Sequence, residues 1–178
     1  EVSISPNTCV IVDHKPQFLS VDDVLKYSTQ HTMDLLGQEL QIRLDELSND
    51  WHYNSLEKIF FENRVYKILE GEARSWEQQL DEVYARMLEF QKLFKRPITM
   101  EDIHKLVEKP VRKISKFDTK AVDEKLKGIE AEMEEVQNHL DHLTDFTVNY
   151  FKNLKKKYGK SYPRLTELTE FESIAATK

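Results

Sequence analysis

From Val122 to Leu154 apolar residues recur every seven positions in two interleaved series, and this repeat constrains the fold more than any other feature. One series reads Val122, Ile129, Val136, Leu143, Tyr150; the other reads Leu126, Met133, Leu140, Thr147, Leu154. They alternate at +4 and +3 over five heptads, with one polar lapse at Thr147. That pattern belongs to a helix whose apolar seam is covered by another helix along its length. A helix over 118–158 would run roughly 60 Å and cannot bury its stripe inside so small a domain. It needs a second long helix.

The stretch from Val21 supplies one. Ser20 offers an N-cap with Asp23 three residues on, in a capping-box arrangement. Leu25, Met33, Leu36, Leu40, Leu44, Leu47 and Trp51 then take helical spacing, continued by Leu56, Ile59, Phe60, Val65, Tyr66 and Leu69 to a stop at Gly71. Read as continuous, this helix reaches roughly 70 Å. Ser48-Asn49-Asp50 is the place where it could break. Between the two long helices, Ser75 to about Phe94 reads as a shorter helix closed by Pro97. Thr99 with Asp102 repeats the capping-box pattern for another, which Pro110 must kink or end. Upstream, residues 3–19 read as extended strands around a turn at Asp13-His14-Lys15-Pro16, with Cys9 a small core residue of a strand.

The expected architecture is mainly α. It is a long antiparallel two-helix coiled-coil stalk with a small helical globular tip and a short β-hairpin-like base. Its parts are a base segment over 1–19, a first stalk helix over 20–70, a tip over 71–117, a returning helix over 118–158 and an extended return over 159–178. Four glycines and five prolines leave little punctuation for a many-stranded fold, and 39% apolar residues with 10% aromatics argue against a disordered chain. The formal charge of −6 advertises neither nucleic acid nor anionic membrane globally. A single cysteine forms no internal disulfide and points to a reducing cytoplasm. No apolar run is long enough to span a membrane, and no secretory leader pattern is present. The sequence opens on Glu1 in mid-pattern without a methionine, as an excerpt from a longer chain would.

Chemistry is sparse. His139 and His142 with Glu135 have a spacing that can hold a metal, but the heptad gives them flanking and solvent positions, so none is assigned. His52 and His104 lack a sequence neighbour to act with. Asp123, Glu124, Glu130, Glu132, Glu134, Glu135, Asp141 and Asp145 face only Lys125 and Lys127, a local −6 read as a solvated face. The sign then reverses. Lys152, Lys155, Lys156, Lys157, Lys160 and Arg164 contain no acid among them. Two accounts fit them equally, favourable charge at a helix C-terminus and contact with DNA phosphates. No Gly-rich phosphate loop, G-x-S-x-G or metalloprotease motif occurs.

The order of parts resembles the A subunit of bacterial type IIA DNA topoisomerases (topoisomerase IV and gyrase), in the region after the DNA-cleaving part. The similarity is carried by Ser3-Ile4-Ser5 through Asp13-His14-Lys15-Pro16, and by Val21-Asp22-Asp23-Val24-Leu25 with His31. Val111-Arg112-Lys113-Ile114-Ser115-Lys116-Phe117-Asp118 adds to it, as does Tyr158-Gly159 followed by Arg164, Thr166, Glu167 and Leu168. Pro110 and Tyr162-Pro163 depart from the family pattern.

The resemblance implies a non-catalytic piece of the A subunit of an ATP-dependent type II topoisomerase. It would be the coiled coil and exit-gate dimerisation domain, whose tips meet to form a homodimer. Ile103, Leu106, Val107, Val111 and Ile114 are then the expected dimer contact. The resemblance also implies that the parent has two partners, double-stranded DNA and an ATPase B subunit, the latter in a heterotetramer. ATP and magnesium are used through that second protein, and no cofactor is expected in this piece. The family's nucleophilic tyrosine directly follows an arginine, and none of the seven tyrosines here does. The alternative from another class is a coiled-coil adaptor or chaperone-like module that grips a foreign protein.

Overall fold

The computed structural model describes residues 7–70, 75–108 and 118–167. Within them lie two short strands and five α-helices: β1 (Cys9–Val12), β2 (Lys15–Phe18), α1 (Val21–Glu62), α2 (Trp76–Leu88), α3 (Met100–Val107), α4 (Thr119–Asp141) and α5 (Leu143–Tyr158). Single 3-10 segments cover Val65–Glu70 and Gln91–Leu93. The protein is mainly helical, as the apolar spacing requires. Contacts divide the chain into two compact units, Asp34–Asp141 (the central unit) and Glu1–Met33 with His142–Lys178 (the terminal unit).

In the central unit, α1 and α4 pair antiparallel. Arg43 meets Glu132 at 2.7 Å, Trp51 Nε1 donates to Glu130 at 2.8 Å, and Lys58 meets Asp123 at 2.6 Å. Position rises along α1 as it falls along α4. Leu47 and Trp51 pack with Ile129 and Val136 in the shared seam, flanked by Leu40, Leu44, Leu126 and Met133. Three of the acids read as a solvated face, Asp123, Glu130 and Glu132, are thus cross-helix partners. α1 runs unbroken through Ser48-Asn49-Asp50, because Trp51, His52, Ser55 and Leu56 immediately after are buried and hold that turn. It stops at Glu62 rather than at Gly71. Arg64 takes a left-handed φ of 54°, and Asn63 caps the end by donating Nδ2–H to the Ile59 carbonyl at 3.0 Å.

A second core closes the central unit. Leu56, Ile59 and Phe60 of α1 meet Leu80, Val83 and Met87 of α2, Ile98, and Ile103 and Leu106 of α3. Leu80, Val83 and Met87 stand at i, i+3 and i+7, one face of a helix. Ser75 caps α2 with a reciprocal box to Gln78, and Thr99 caps α3 with a reciprocal box to Asp102. α2 ends at Leu88, six residues short of the expected Phe94, and a 3-10 turn takes over. There Gln91 donates to the Arg96 carbonyl and accepts from the Ile98 amide, fixing the loop ahead of Pro97.

In the terminal unit the hairpin is tighter than the sequence spacing suggests. Asp13 (φ 50°) and His14 (φ 62°) form a two-residue loop of the I′ kind, while Lys15 and Pro16 already belong to β2, paired with Val12 and Ile11. Cys9 is exposed, not a core residue, because the two strands have no covering layer among the described residues. The Ser20 cap forms: the Asp23 amide donates to Ser20 Oγ at 3.2 Å, and Ser20 Oγ donates to the Asp23 carboxylate at 2.6 Å.

The returning helix is two helices. His142 (φ −120°, ψ 42°) interrupts it between α4 and α5. The repeat also fades beyond that point. Thr147, the polar lapse, is buried with its hydroxyl donated to the Leu143 carbonyl at 2.8 Å, whereas Tyr150 and Leu154 are about two-fifths exposed.

Candidate functional site

Among the described residues, three places carry chemistry: a buried polar network in the central unit, the apolar stripe of α3 beside it, and the basic end of α5 in the terminal unit.

The network is centred on Asp102, the N3 residue of α3. Its carboxylate accepts Thr99 N–H at 3.0 Å and Thr99 Oγ1–H at 2.9 Å, which is the capping box foreseen from sequence. It also accepts two bonds at 3.0 Å from Arg96 Nη1 and Nη2, a bidentate fork. Finally it meets His52 Nε2 at 3.3 Å. His52 is wholly buried on α1, its ring set edge-on to Phe94 with centroids 5.5 Å apart. Burial and then the Arg96 charge push the His52 pKa below its ordinary value, against the pull of Asp102. The imidazole is therefore neutral near pH 7, with its proton on Nε2 facing a carboxylate that can only accept. Burial would raise the Asp102 pKa, but the bonds from Arg96 and Thr99 outweigh it and hold the carboxyl far below the usual range. His52 Nδ1 and Arg96 Nε have no hydrogen-bond partner among the described residues.

This cluster joins α1, the loop before α3 and α3 itself. Beside it, Lys105 reaches Tyr53 Oη at 3.2 Å and Glu101 at 2.7 Å, and its pKa is raised to about 12 by those bonds. No water-activating or nucleophilic pair results. Asp102 is neutralised by Arg96, and His52 lies out of reach of solvent. The arrangement is a fastener, not a catalytic dyad. His52 has no partner near it in sequence, and the fold supplies one fifty positions away. The capping-box spacing at Thr99 and Asp102 was the only signal of it in the sequence.

The α3 stripe divides by burial. Ile103 is 0% and Leu106 4% exposed, both inside the unit's own core, so neither offers a surface to another molecule. That corrects their place in the expected dimer contact. A patterned stripe on a short helix satisfies a local core first. Val107 packs against the same core but keeps part of its surface exposed. Val111 and Ile114 lie outside the described residues. The same unit leaves larger apolar side chains in the open, with Trp76 53% and Leu93 60% exposed, and Leu88 also exposed.

At the basic end, Lys152, Lys155, Lys156, Lys157, Lys160 and Arg164 are all exposed. Lys155, Lys156 and Lys157 form the last turn of α5, and Lys157 Nζ stands 5.1 Å from the Tyr158 ring centre. The backbone closes the helix by donating Gly159 N–H to the Lys155 carbonyl at 2.8 Å, an approach so close that a Cβ at 159 would meet that oxygen. Among the described residues, no group of three or more His, Cys, Asp and Glu is arranged to hold a metal ion, and His139, His142 and Glu135 form none. No helix among them is long and apolar enough to cross a membrane.

Comparison with known proteins gives a family for this geometry. A family model for the A subunits of DNA gyrase and topoisomerase IV matches residues 1–155. The A subunit of DNA topoisomerase 4 from Borreliella burgdorferi is 27% identical over 173 residues, covering 97% of this chain and 28% of its own length. The chain thus spans less than a third of that relative.

Proposed function

The chain belongs to the DNA gyrase/topoisomerase IV family of type II topoisomerase A subunits, and from that premise we propose that it is their coiled-coil and exit-gate dimerisation region. The parent would pass one DNA duplex through another and rejoin the strands, with ATP hydrolysed by its B subunit. This region would hold two copies together while the DNA is open and part to release the passed duplex. On this reading the chain performs no chemistry of its own.

The observation that carries the reading is the central unit. It is a closed helical core, clamped by the Asp102 network onto an antiparallel α1–α4 pair, with large apolar side chains left outside it. A rigid body with a modest exposed apolar surface suits a contact that must open and reseal. Residues 71–117 would form the tip, and Val107, Val111 and Ile114 remain the proposed contact from the stripe, joined by exposed Leu93. The terminal unit supports a place within a larger assembly, because a lone two-stranded hairpin is marginal in water and here exposes Phe18 and Ile11.

Light scattering across a concentration series tests the proposal. A dimer that dissociates on dilution and is abolished by Leu93→Glu combined with Ile114→Glu is the expected result. A monomer at every concentration overturns it and favours a module that binds a different protein through the same unit.

A further inference from the structure

The basic end of α5 concentrates positive charge in an otherwise acidic chain. The whole chain has 26 basic and 32 acidic residues. Removing the six at 152–164 leaves 20 against 32, so a chain that is otherwise −12 concentrates +6 in thirteen positions containing no acid. All six side chains are exposed, and none makes an ion pair among the described residues. By contrast Arg43, Lys58, Arg96 and Lys105 are each paired with a carboxylate.

A helix dipole explains only part of this. Its field falls off within the last turn, which holds Lys155, Lys156 and Lys157. Lys152 lies a turn earlier, and Lys160 and Arg164 lie beyond the helix, so the dipole does not account for half of the cluster. Adjacent like charges meanwhile repel. The six residues form a track. Lys152, Lys155 and Lys156 share one helix face at i, i+3 and i+4, and the track continues through the segment after Gly159. It covers roughly 10 Å along the helix and then a turn over 159–162, closed by Ser161 N–H donating to the Tyr158 carbonyl at 2.9 Å, before the chain reaches Arg164. A DNA duplex carries one charge per roughly 1.7 Å of axis, so such a track meets several phosphates. Five lysines to one arginine is the composition of point-charge contacts that neutralise a backbone without reading bases. Exposed Tyr158 and Tyr162 rings lie within it.

We propose that residues 152–164 form a sequence-independent docking surface for the phosphate backbone of duplex DNA, distinct from the self-association surface of the central unit. That the ligand is a polyanion follows from charge alone. That the polyanion is DNA rests on the family reading above.

The test is fluorescence anisotropy of a labelled 20-base-pair duplex against the full chain at 50–200 mM salt. Expected is micromolar binding at the lowest salt, equal for unrelated sequences, with a log–log salt slope of about −3 to −5. At a slope near −4.5 that range of salt weakens binding about 500-fold. Lys155→Gln with Lys156→Gln and Lys157→Gln removes three contacts on exposed side chains and should reduce the slope by about 2 to 3, whereas Lys125→Gln with Lys127→Gln should leave it unchanged. Absence of binding at 50 mM salt, or binding indifferent to the triple substitution, overturns the proposal. So does binding to vesicles of one-quarter phosphatidylserine in place of duplex. Light scattering of the same triple variant separates the two readings. A dimer that no longer binds DNA supports both proposals, and a chain that binds duplex but never dimerises sinks only the gate.

Discussion

Asp102→Ala removes at one stroke the acceptor of five hydrogen bonds, one from His52, two from Arg96 and two from Thr99. The carboxylate side chain is 3% exposed, so water does not replace it. Breaking a buried charged pair by deleting one partner costs about 3–5 kcal/mol, because the surviving charge stays desolvated. Here the Arg96 side chain keeps 34% of its surface and can rehydrate by turning outward, which moves the cost toward the lower end. His52 cannot do so. It would be left with neither ring nitrogen satisfied, at about 1–3 kcal/mol, and α3 would lose half of its capping box, at about 1 kcal/mol. These contributions overlap, and about 3 kcal/mol is the working value. With a urea m-value of about 2 kcal/mol/M, the unfolding midpoint should fall by roughly 1.5 M. Circular dichroism at 222 nm in a urea titration reads it directly. Asp102→Asn, which keeps an acceptor for Thr99 but not the charge, should fall between the alanine variant and the parent. A midpoint change under about 0.3 M for Asp102→Ala, at unchanged m, would show that the network does not hold α3 to α1.

The pH dependence separates two groups. The His52 pKa is lowered below 6.5, so its contribution is complete above that value and is lost as pH falls from 6.5 toward the folded pKa. Asp102 is held well below 3.8, so its contribution is lost only on acidification below about 4. His52→Gln should flatten thermal stability between pH 6.5 and 5 while leaving the loss below pH 4, and a midpoint still sloping between pH 6.5 and 5 would refute the assignment. Gly128 has nothing within 4 Å of where a Cβ would sit and lies in mid-helix, so Gly128→Ala should stabilise by about 0.5–1 kcal/mol in the same urea assay. Trp51→Phe loses the bond to Glu130 and weakens the stacking of Lys95, 4.5 Å from the ring centre, and should cost about 1–2 kcal/mol. An unchanged midpoint would place the α1–α4 hold elsewhere in the seam.

Local and periodic features were readable from the residues alone. The helix starts at Ser20 and Thr99 were legible because a cap needs only residues three apart. The pairing of two long helices was legible because a repeat at +3 and +4 has no other stable use. The family was legible from short motifs spread along the chain. What tertiary structure decided was everything set by competition between distant groups. α1 passes Ser48-Asn49-Asp50 because the buried face of Trp51, His52, Ser55 and Leu56 outweighs weak local propensity. Ile103 and Leu106 went to the core of their own unit because α2 and Phe60 were there to cover them, and an apolar stripe does not state which molecule will bury it. The seam lapsed at Tyr150 and Leu154, while Thr147 was buried with its hydroxyl satisfied by the Leu143 carbonyl. His52 and Asp102 met because folding brought positions fifty residues apart within 3.3 Å. No spacing rule links them, and only the packed core that excludes water gives their bond its strength.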